Sequence, residues 1–279
     1  MEKIVESFEL YGKQYRLETG ELAKQATGSV VVTQGDTTVL VTAVISKEEK
    51  DYDFFPLTVD FIEKMYAVGR IPGGYLKREA RPSDKGTLTA RMVDRPIRPG
   101  FADGFKREVH VVCTTLVVDS INPPDTICVM GASAALMLGA APFDGPAACV
   151  RIGRDVETGE FIVNPTFEES ENSDLELTIA GTADYISMVE AGADEIPDEI
   201  MYAGIVKAHE EIKKQVAFIN QIVAEIGKPK MEYEHAQFNQ ELFDKIVADF
   251  MDEAKAAMDT DDKNIREARW NAMIEKWHE

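Results

Sequence analysis

The most regular stretch of the chain reads Gly28-Ser-Val-Val-Val-Thr33, then Gln34-Gly-Asp36, then Thr37-Thr-Val-Leu-Val-Thr-Ala-Val-Ile45. Two β-branched runs around a Gly-Asp turn predict a β-hairpin, because β-branched side chains favour strands and glycine accepts the backbone angles of a tight turn. Residues 8–18 alternate loosely and suit an edge strand or a hairpin. Further strands are predicted at residues 54–62, 109–118, 147–152, 161–163, 175–180 and 186–189. The run at 54–62 is dense enough in apolar residues to be buried on both faces.

Helical patterns alternate with these strands. Ser83 is the expected N-cap of a helix that runs to about Asp94, where Pro96 stops it and where Leu88 and Met92 form a buried face. Residues 128–138 are small and apolar all round, which predicts a buried helix, and a third helix runs from Pro197 to Ile226. Mixed strands and helices indicate an α+β fold with βαβ layers.

The composition changes at residue 231. Residues 231–279 hold thirteen acids and six bases, with no glycine or proline and with apolar residues at helical spacing. We therefore expect a separate all-helical segment, with a boundary between Lys228 and His235. The chain stops without a completed bundle, which suggests truncation.

Charge and cysteine content narrow the class of protein. The 279 residues carry a net charge of −20, and no apolar run is long enough to span a membrane. Three separated cysteines (Cys113, Cys128 and Cys149) form no Cys-x-x-Cys pair, so disulfides and structural zinc are not expected. With no apolar signal core at the N-terminus, we expect a cytoplasmic location.

Positive charge is concentrated in one segment of this acidic chain. Between Phe61 and His110, eleven lysines and arginines stand against six acids, a surplus of five positive charges. Such a segment predicts a local anion site. Pro72-Gly73-Gly74 forms a turn, and Tyr75 and Leu76 then precede Lys77 and Arg78 on a loop. An aromatic ring beside cations suits single-stranded nucleic acid, since the ring stacks on a base and the cations contact phosphates.

The arginines of the following helix extend this pattern. Arg91 and Arg95 are four residues apart and share a helix face, so their guanidinium groups can clamp phosphate. In the alternative interpretation, the arginines form a structural salt-bridge network with Glu79, Asp84 and Asp94.

At these residues the chain resembles a known family, the bacterial polynucleotide phosphorylases, in their first RNase PH-like domain. The matching motifs are Phe54-Phe-Pro-Leu-Thr-Val59, Ala67-Val-Gly-Arg-Ile-Pro-Gly73, Arg78-Glu-Ala-Arg-Pro-Ser83, Asp94-Arg-Pro-Ile-Arg-Pro99, Met130-Gly-Ala-Ser-Ala-Ala-Leu136, Asn164-Pro165, Ala180-Gly-Thr182 and Gly227-Lys-Pro229. The resemblance implies an RNase PH-like fold, of the ribosomal protein S5 domain 2-like type. It implies one such domain over residues 1–230, in parts 1–145 and 146–230, and the start of an all-helical domain over 231–279.

The resemblance also implies a function. The family removes nucleotides from RNA 3′ ends with inorganic phosphate, reversibly, and acts in mRNA degradation as a ring of three copies. It implies RNA contacts by Tyr75, Leu76, Lys77, Arg78 and Arg81, and a phosphate or RNA path along Arg91, Arg95 and Arg98. Single-stranded RNA, a homotrimer ring and other RNA-degradation proteins are the implied partners. Family members usually carry two phenylalanines where this chain has Tyr75 and Leu76.

The resemblance places catalysis outside this chain. The family's second domain holds phosphate in a serine-rich loop and Mg²⁺ with carboxylates, whereas this chain has Asn122-Pro-Pro-Asp125 at the first position. Proline cannot donate a hydrogen bond and aspartate repels phosphate. Glu176 and Thr178 stand where an aspartate and a lysine would be. We expect no catalytic or metal-binding residues here, with Mg²⁺ bound by the second domain.

Other catalytic arrangements are not predicted. Ser133 lies in the buried helix and is expected to pack there rather than to act as a nucleophile, and His209 is expected to face solvent. Two alternatives remain open. One is a non-catalytic RNA-binding ring subunit of an exosome-like complex. The other is a small-molecule enzyme that binds an anionic substrate through Arg91 and Arg95.

Overall fold

A computed structural model describes residues 3–49, 51–79, 81–233 and 239–278. Its contacts divide the chain into two compact units, Met1–Glu234 and His235–Glu279. The expected boundary region reaches His235, which lies outside the described residues.

The first unit contains a six-stranded sheet. Its strands are β1 (Ile4–Leu10), β2 (Lys13–Thr19), β3 (Gly28–Gln34), β4 (Thr37–Glu49), β5 (Leu57–Ile62) and β6 (Arg107–Val117), in the spatial order β1-β2-β3-β4-β6-β5. The predicted hairpin is confirmed, because β3 and β4 pair antiparallel around Gly35, whose φ is +59°. Only β5 runs parallel to its neighbour β6 within this sheet, so the intervening chain must cross over.

A four-stranded antiparallel sheet forms the second layer of the unit. It consists of β7 (Ala148–Arg154), β8 (Phe161–Val163), β9 (Leu175–Gly181) and β10 (Ile186–Ala193), in the order β10-β9-β7-β8. All four predicted strands are present. A short helix, α3 (Phe167–Glu171), was not predicted, although Thr166 and Glu169 form a capping box at its start.

Three longer helices complete this unit: α1 (Asp84–Ile97), α2 (Asp125–Leu138) and α4 (Asp198–Ile226). As predicted, α2 is buried almost throughout, and it packs against β3 and β4 of one sheet and β7 of the other. Gly131 permits the close approach, since a Cβ atom there would stand 2.7 Å from Val41 Cγ2. Each large apolar side chain buried in this way contributes roughly 1.5–3 kcal/mol. Ser133 accepts a hydrogen bond from the Ala147 N–H at 2.8 Å, which confirms a packing role.

Three local predictions were wrong. The strand β5 begins only at Leu57. Because α1 packs on the face that carries Leu57 and Phe61, Thr58 and Asp60 on the opposite face are exposed instead of buried. The helix α1 continues through Pro96 to Ile97, because proline in a last turn removes a single hydrogen bond while its ring packs in the core. Leu88 is 61% exposed, so only Met92 of the expected pair is buried.

The second unit consists of two helices, α5 (Gln240–Met258) and α6 (Lys263–His278), as the composition predicted. Asn239 caps α5 by accepting the Leu242 N–H at 3.1 Å, and Lys276 of α6 forms an ion pair with Glu253 of α5. Within the described ranges, none of the helices combines the length and apolar character needed to cross a bilayer.

Candidate functional site

The basic segment lies at the carboxyl end of β5, in the crossover to the parallel strand β6. Crossover loops at the carboxyl ends of parallel strands are common ligand-binding positions. The loop first makes a 3₁₀ turn, Met65–Val68, closed by Gly69 in the left-handed conformation. Its returning limb is tied to this turn, because the Glu79 carboxylate accepts the Met65 N–H at 3.4 Å. Backbone hydrogen bonds from Glu79 itself and from Met65 lower the pKa of that carboxyl group.

The tip of the loop projects its side chains into solvent. Tyr75 is 100% exposed and Leu76 is 76% exposed. The tip is closed by the Lys77 N–H donating to the Gly74 carbonyl at 3.0 Å, with Lys77 at a φ of +50°. Lys77, Arg78 and Arg81 are exposed, and among the described residues none of them has an ion-pair partner. These groups therefore remain available to an external ligand.

The helix after the loop is anchored at its first turn. Ser83 caps α1 as predicted, with its Oγ accepting the Gly86 N–H at 2.9 Å. The same hydroxyl donates to Glu63 Oε2 at 2.5 Å. Ser83 therefore ties the first turn of α1 to Glu63, the residue that directly follows β5.

The three arginines of this helix differ in their surroundings. Arg91 is exposed and unpaired within the part of the chain that the structure describes. Arg95 forms a half-exposed pair with Glu190 of β10 at 3.3 Å. Arg98 binds both carboxylate oxygens of Asp94, at 2.9 and 2.6 Å. It also donates to the Phe55 and Leu57 carbonyls at 3.3 and 3.2 Å, so the salt-bridge interpretation describes Arg98 and not Arg91.

A second charged cluster lies at the N-terminus of α2, where the sequence analysis expected no phosphate site. Asp125 is 5% exposed, and its carboxylate accepts the Thr126 N–H at 2.8 Å and the Arg151 guanidinium at 2.7 Å. Arg151 also contacts Thr178 Oγ1 at 3.3 Å and Glu176 Oε1 at 3.5 Å. Burial by itself lowers the pKa of Arg151, but the charge and hydrogen bond of Asp125, together with Glu176, raise it overall.

The charged groups of this cluster already have partners within it. The Asp125 carboxylate occupies the helix end where a phosphate would bind, and a guanidinium stands beside Glu176, where a metal ion would meet like charge. Across the described ranges, no group of three histidine, cysteine or acidic side chains is placed to hold a metal ion. Arg151 is a residue that the sequence motifs miss, although a lone arginine between Val150 and Ile152 in an apolar strand is a usable signal of a buried ion pair.

Other candidate residues have structural surroundings. All three cysteines are buried free thiols. The expectation that His209 faces solvent was wrong, because its Nε2 lies 3.2 Å from the Thr182 carbonyl in a half-buried position. Its neighbour Glu211 is buried between Lys207 and Lys214, with contacts of 2.6 and 2.5 Å.

Comparison with known families assigns the fold. Domain 1 of the 3′ exoribonuclease family, RNase PH, matches residues 12–142, and domain 2 of that family matches residues 145–211. The chain belongs to the 3′ exoribonuclease family, and its fold is RNase PH-like, as predicted.

Within the family, the chain is similar over nearly its whole length to polyribonucleotide nucleotidyltransferases. The Bacillus cytotoxicus protein is 49% identical over 276 residues, covering 99% of this chain and 38% of that protein. The Natranaerobius thermophilus protein is 50% identical over 262 residues, covering 94% and 36%. The chain thus spans less than two-fifths of the length of these relatives.

Solved structures share the fold at low identity. An Archaeoglobus fulgidus exosome with RNA bound to the active site superposes with a TM-score of 0.56 at 18% identity, covering 76% of this chain and 86% of that one. Rice Rrp46 superposes with a TM-score of 0.58 at 14% identity, covering 75% and 94%. At these identities the likeness concerns the fold alone.

Proposed function

We propose that this chain is the RNA-guiding and ring-forming part of a 3′-to-5′ phosphorolytic exoribonuclease of the cytoplasm. The full enzyme would degrade mRNA to nucleoside diphosphates with inorganic phosphate, reversibly, as a ring of three copies that can associate with other RNA-degradation proteins. The similarity to polyribonucleotide nucleotidyltransferases supports this activity.

The proposal is carried by a contrast within the first unit. The cations of the basic loop are exposed, whereas Arg151 is buried and paired with Asp125. Tyr75 offers an exposed ring, and Lys77, Arg78 and Arg81 offer cations without an ion-pair partner in the described ranges. An aromatic ring and free cations are the groups that hold single-stranded RNA. Leu76 adds apolar contact beside the ring. Arg91 continues the cationic face along α1, and Arg95 lies on the same face in a half-exposed pair with Glu190. Arg98 holds the end of that helix in place.

Catalysis would lie elsewhere in the longer protein. Phosphate would attack the terminal phosphodiester in line, releasing a nucleoside diphosphate and leaving a shortened RNA with a free 3′ hydroxyl. The Asp125–Arg151–Glu176 cluster does not fit phosphate or Mg²⁺, since its own charges occupy both positions. The ion would therefore be bound by the second RNase PH-like domain of the enzyme.

RNA binding by the loop can be measured through its salt dependence. Replacing Lys77 and Arg78 with alanine removes two phosphate contacts, so the slope of log K against log salt should fall by about 1.4 for single strands. Lys47 and Lys213, both exposed and remote in sequence, give a double-alanine control with the same charge loss. Equal slopes for the loop variant and the unmodified chain would remove the loop from the RNA path.

The non-catalytic assignment has its own assay. The chain is incubated with end-labelled single-stranded RNA and inorganic phosphate, and nucleoside diphosphates are separated and counted. We expect no phosphate-dependent release above background. Sustained release at a rate that scales with enzyme would show that this chain carries a working site.

A non-catalytic ring subunit of an exosome-like complex is the second candidate. The neutralised Asp125–Arg151 pair favours it, because such a subunit has no need of a phosphate site. The 47–50% identity to polyribonucleotide nucleotidyltransferases favours the first candidate. To distinguish the two, the natural complex is purified, any separate catalytic subunit is removed, and the remainder is tested for phosphorolysis. Activity that remains favours the first candidate, and activity that disappears favours the second.

A further inference from the structure

A cavity of about 570 Å³ lies beneath the basic loop, between β5, the 3₁₀ turn and the start of α1. Ligand sites of roughly 300–1,000 Å³ accommodate small organic molecules, so this volume is sufficient for one nucleotide. Tyr75, Leu76 and Lys77 are not among its described lining residues. The cavity is therefore distinct from the loop tip.

The acidic residues that line the cavity already have partners. Glu63 accepts the Ser83 hydroxyl at 2.5 Å, and Glu79 accepts the Met65 N–H at 3.4 Å. Asp125 is paired with Arg151 at 2.7 Å. Lys64 lies close enough to Glu79 for its charge to lower the pKa of that carboxyl group, after the larger contributions of the backbone hydrogen bonds from Glu79 itself and from Met65.

Three other bases line the cavity without a carboxylate partner. Arg78 and Arg81 approach from the loop and Lys85 from the first turn of α1, and none of the three has an ion pair among the described residues. Lys85 lies 5.4 Å from the centre of the Phe167 ring, so its stem is held toward the cavity by a cation–π contact. Three unpaired cations converging on one space predict an anionic group there.

The opposite part of the lining is apolar. Phe61, Ile62, Met65 and Val68 come from β5 and the 3₁₀ turn. A simple inorganic anion has no use for such a surface, whereas a flat heterocycle gains from burial against it. The ligand should therefore carry both a ring and a phosphate.

We propose that this cavity binds a nucleotide, with its base against the apolar lining of β5 and the 3₁₀ turn and its phosphate among Arg78, Arg81 and Lys85. The nucleotide is either a unit of an RNA strand or a free nucleoside diphosphate, which share this chemistry. The inference rests on the proposed function only in that Arg78 and Arg81 serve both sites.

The test uses ADP, adenosine and inorganic phosphate as separate probes in calorimetric titrations of the whole chain. We expect saturable ADP binding that exceeds the binding of either adenosine or phosphate alone. Lys85→Ala should weaken ADP binding about tenfold through loss of one charge-assisted hydrogen bond. Val68→Trp should weaken it at least as much by filling the mouth of the cavity, and Val68 is 52% exposed, so the larger side chain can be accommodated in the fold.

Two variants serve as controls. Lys213→Ala removes an exposed lysine of α4 and should leave ADP binding unchanged. Lys77→Ala alters the loop tip outside the cavity, so it should weaken RNA binding while ADP binding persists. If Lys77→Ala binds both RNA and ADP as the unmodified chain does, the proposed RNA path is rejected and the cavity assignment stands.

Competition identifies the source of the nucleotide. If a short single-stranded RNA displaces ADP, the cavity holds a unit of the strand; if ADP and RNA bind together, it holds the free nucleotide. The proposal is overturned if Lys85→Ala and Val68→Trp, both shown by circular dichroism to be folded, bind ADP as the unmodified chain does. It is overturned equally if phosphate alone binds as tightly as ADP.

Discussion

The basic loop and the cluster at the start of α2 contain similar residues in opposite states. In the loop, Lys77, Arg78 and Arg81 are exposed and unpaired within the described residues, whereas Arg151 is buried among Asp125, Glu176 and Thr178. A buried cation that has partners is not available for binding, because an incoming anion would have to displace those partners. Availability of charge, and not its amount, therefore separates the two regions.

The largest effect is expected from breaking the buried pair. Arg151→Ala leaves the Asp125 carboxylate buried without its partner, which should lower the free energy of unfolding by about 3–5 kcal/mol. Urea denaturation of the variant and the unmodified chain measures the difference. The double variant Asp125→Leu with Arg151→Met removes both charges and should recover most of the loss. A single variant as stable as the unmodified chain would contradict a structural role for the pair.

The exposed ring should matter for binding and not for stability. Tyr75→Ala should weaken single-stranded RNA binding by roughly 1–3 kcal/mol, the contribution of one stacking contact. Tyr202→Ala, which removes another exposed tyrosine on α4, is the matched control. Fluorescence anisotropy at fixed salt measures both variants, and equal affinities for the two would remove Tyr75 from the RNA path. Leu76→Phe should strengthen binding by supplying a second ring.

A third prediction concerns the turn that leads into α2. Asp119 accepts N–H groups of Asp36, Ile121 and Asn122, at 3.1, 2.9 and 2.5 Å. Burial raises the pKa of this carboxyl group, but its hydrogen bonds outweigh burial and lower the pKa from 3.8 to about 2. The ionised form is therefore favoured in the folded state, and its stabilisation is present above pH 4 and is lost as the pH falls toward 2.

Asp119→Asn should accordingly lower the free energy of unfolding by roughly 1–2 kcal/mol at pH 7. The difference from the unmodified chain should shrink between pH 4 and pH 2. Asp184→Asn, at an exposed aspartate, is the control, and chemical denaturation across this pH range is the measurement. A difference that stays constant with pH would show that the carboxylate charge is not what stabilises the turn.

The sequence predicts much of the fold where local pattern determines structure. The hairpin of β3 and β4 and the helix α2 follow from β-branched runs, a turn and a continuous apolar segment, each of which acts over a few residues. The position of Tyr75 on a loop likewise follows from the turn at Gly73-Gly74. The role of Tyr75 in RNA binding remains a prediction.

The errors arise where the burial or pairing of a residue depends on residues that are distant in sequence. Arg151 meets Asp125 across 26 positions of sequence, and neither residue alone indicates the pairing. Leu88 has the right spacing from Met92, yet α1 turns Thr89, Met92 and Val93 toward the core. A short amphipathic pattern does not show which side of Met92 the buried face extends to. Likewise, the position of β5 at a sheet edge depends on the crossover to β6.

The smallest effect is expected at Arg95, whose side chain a single substitution can change from paired to unpaired. The Nη1 atom of Arg95 lies 3.3 Å from Oε2 of Glu190, and both side chains are about half exposed. Such surface ion pairs contribute about 0–1 kcal/mol to stability. Glu190→Gln should therefore leave unfolding nearly unchanged while it releases Arg95 for phosphate. We expect the salt slope of RNA binding to rise by up to about 0.7, the value for one added phosphate contact. Glu225→Gln makes the same charge change at an exposed residue of α4, and it should give a smaller increase. Equal increases for the two variants would mean that only the net charge of the chain had changed, and that Arg95 is not on the RNA path.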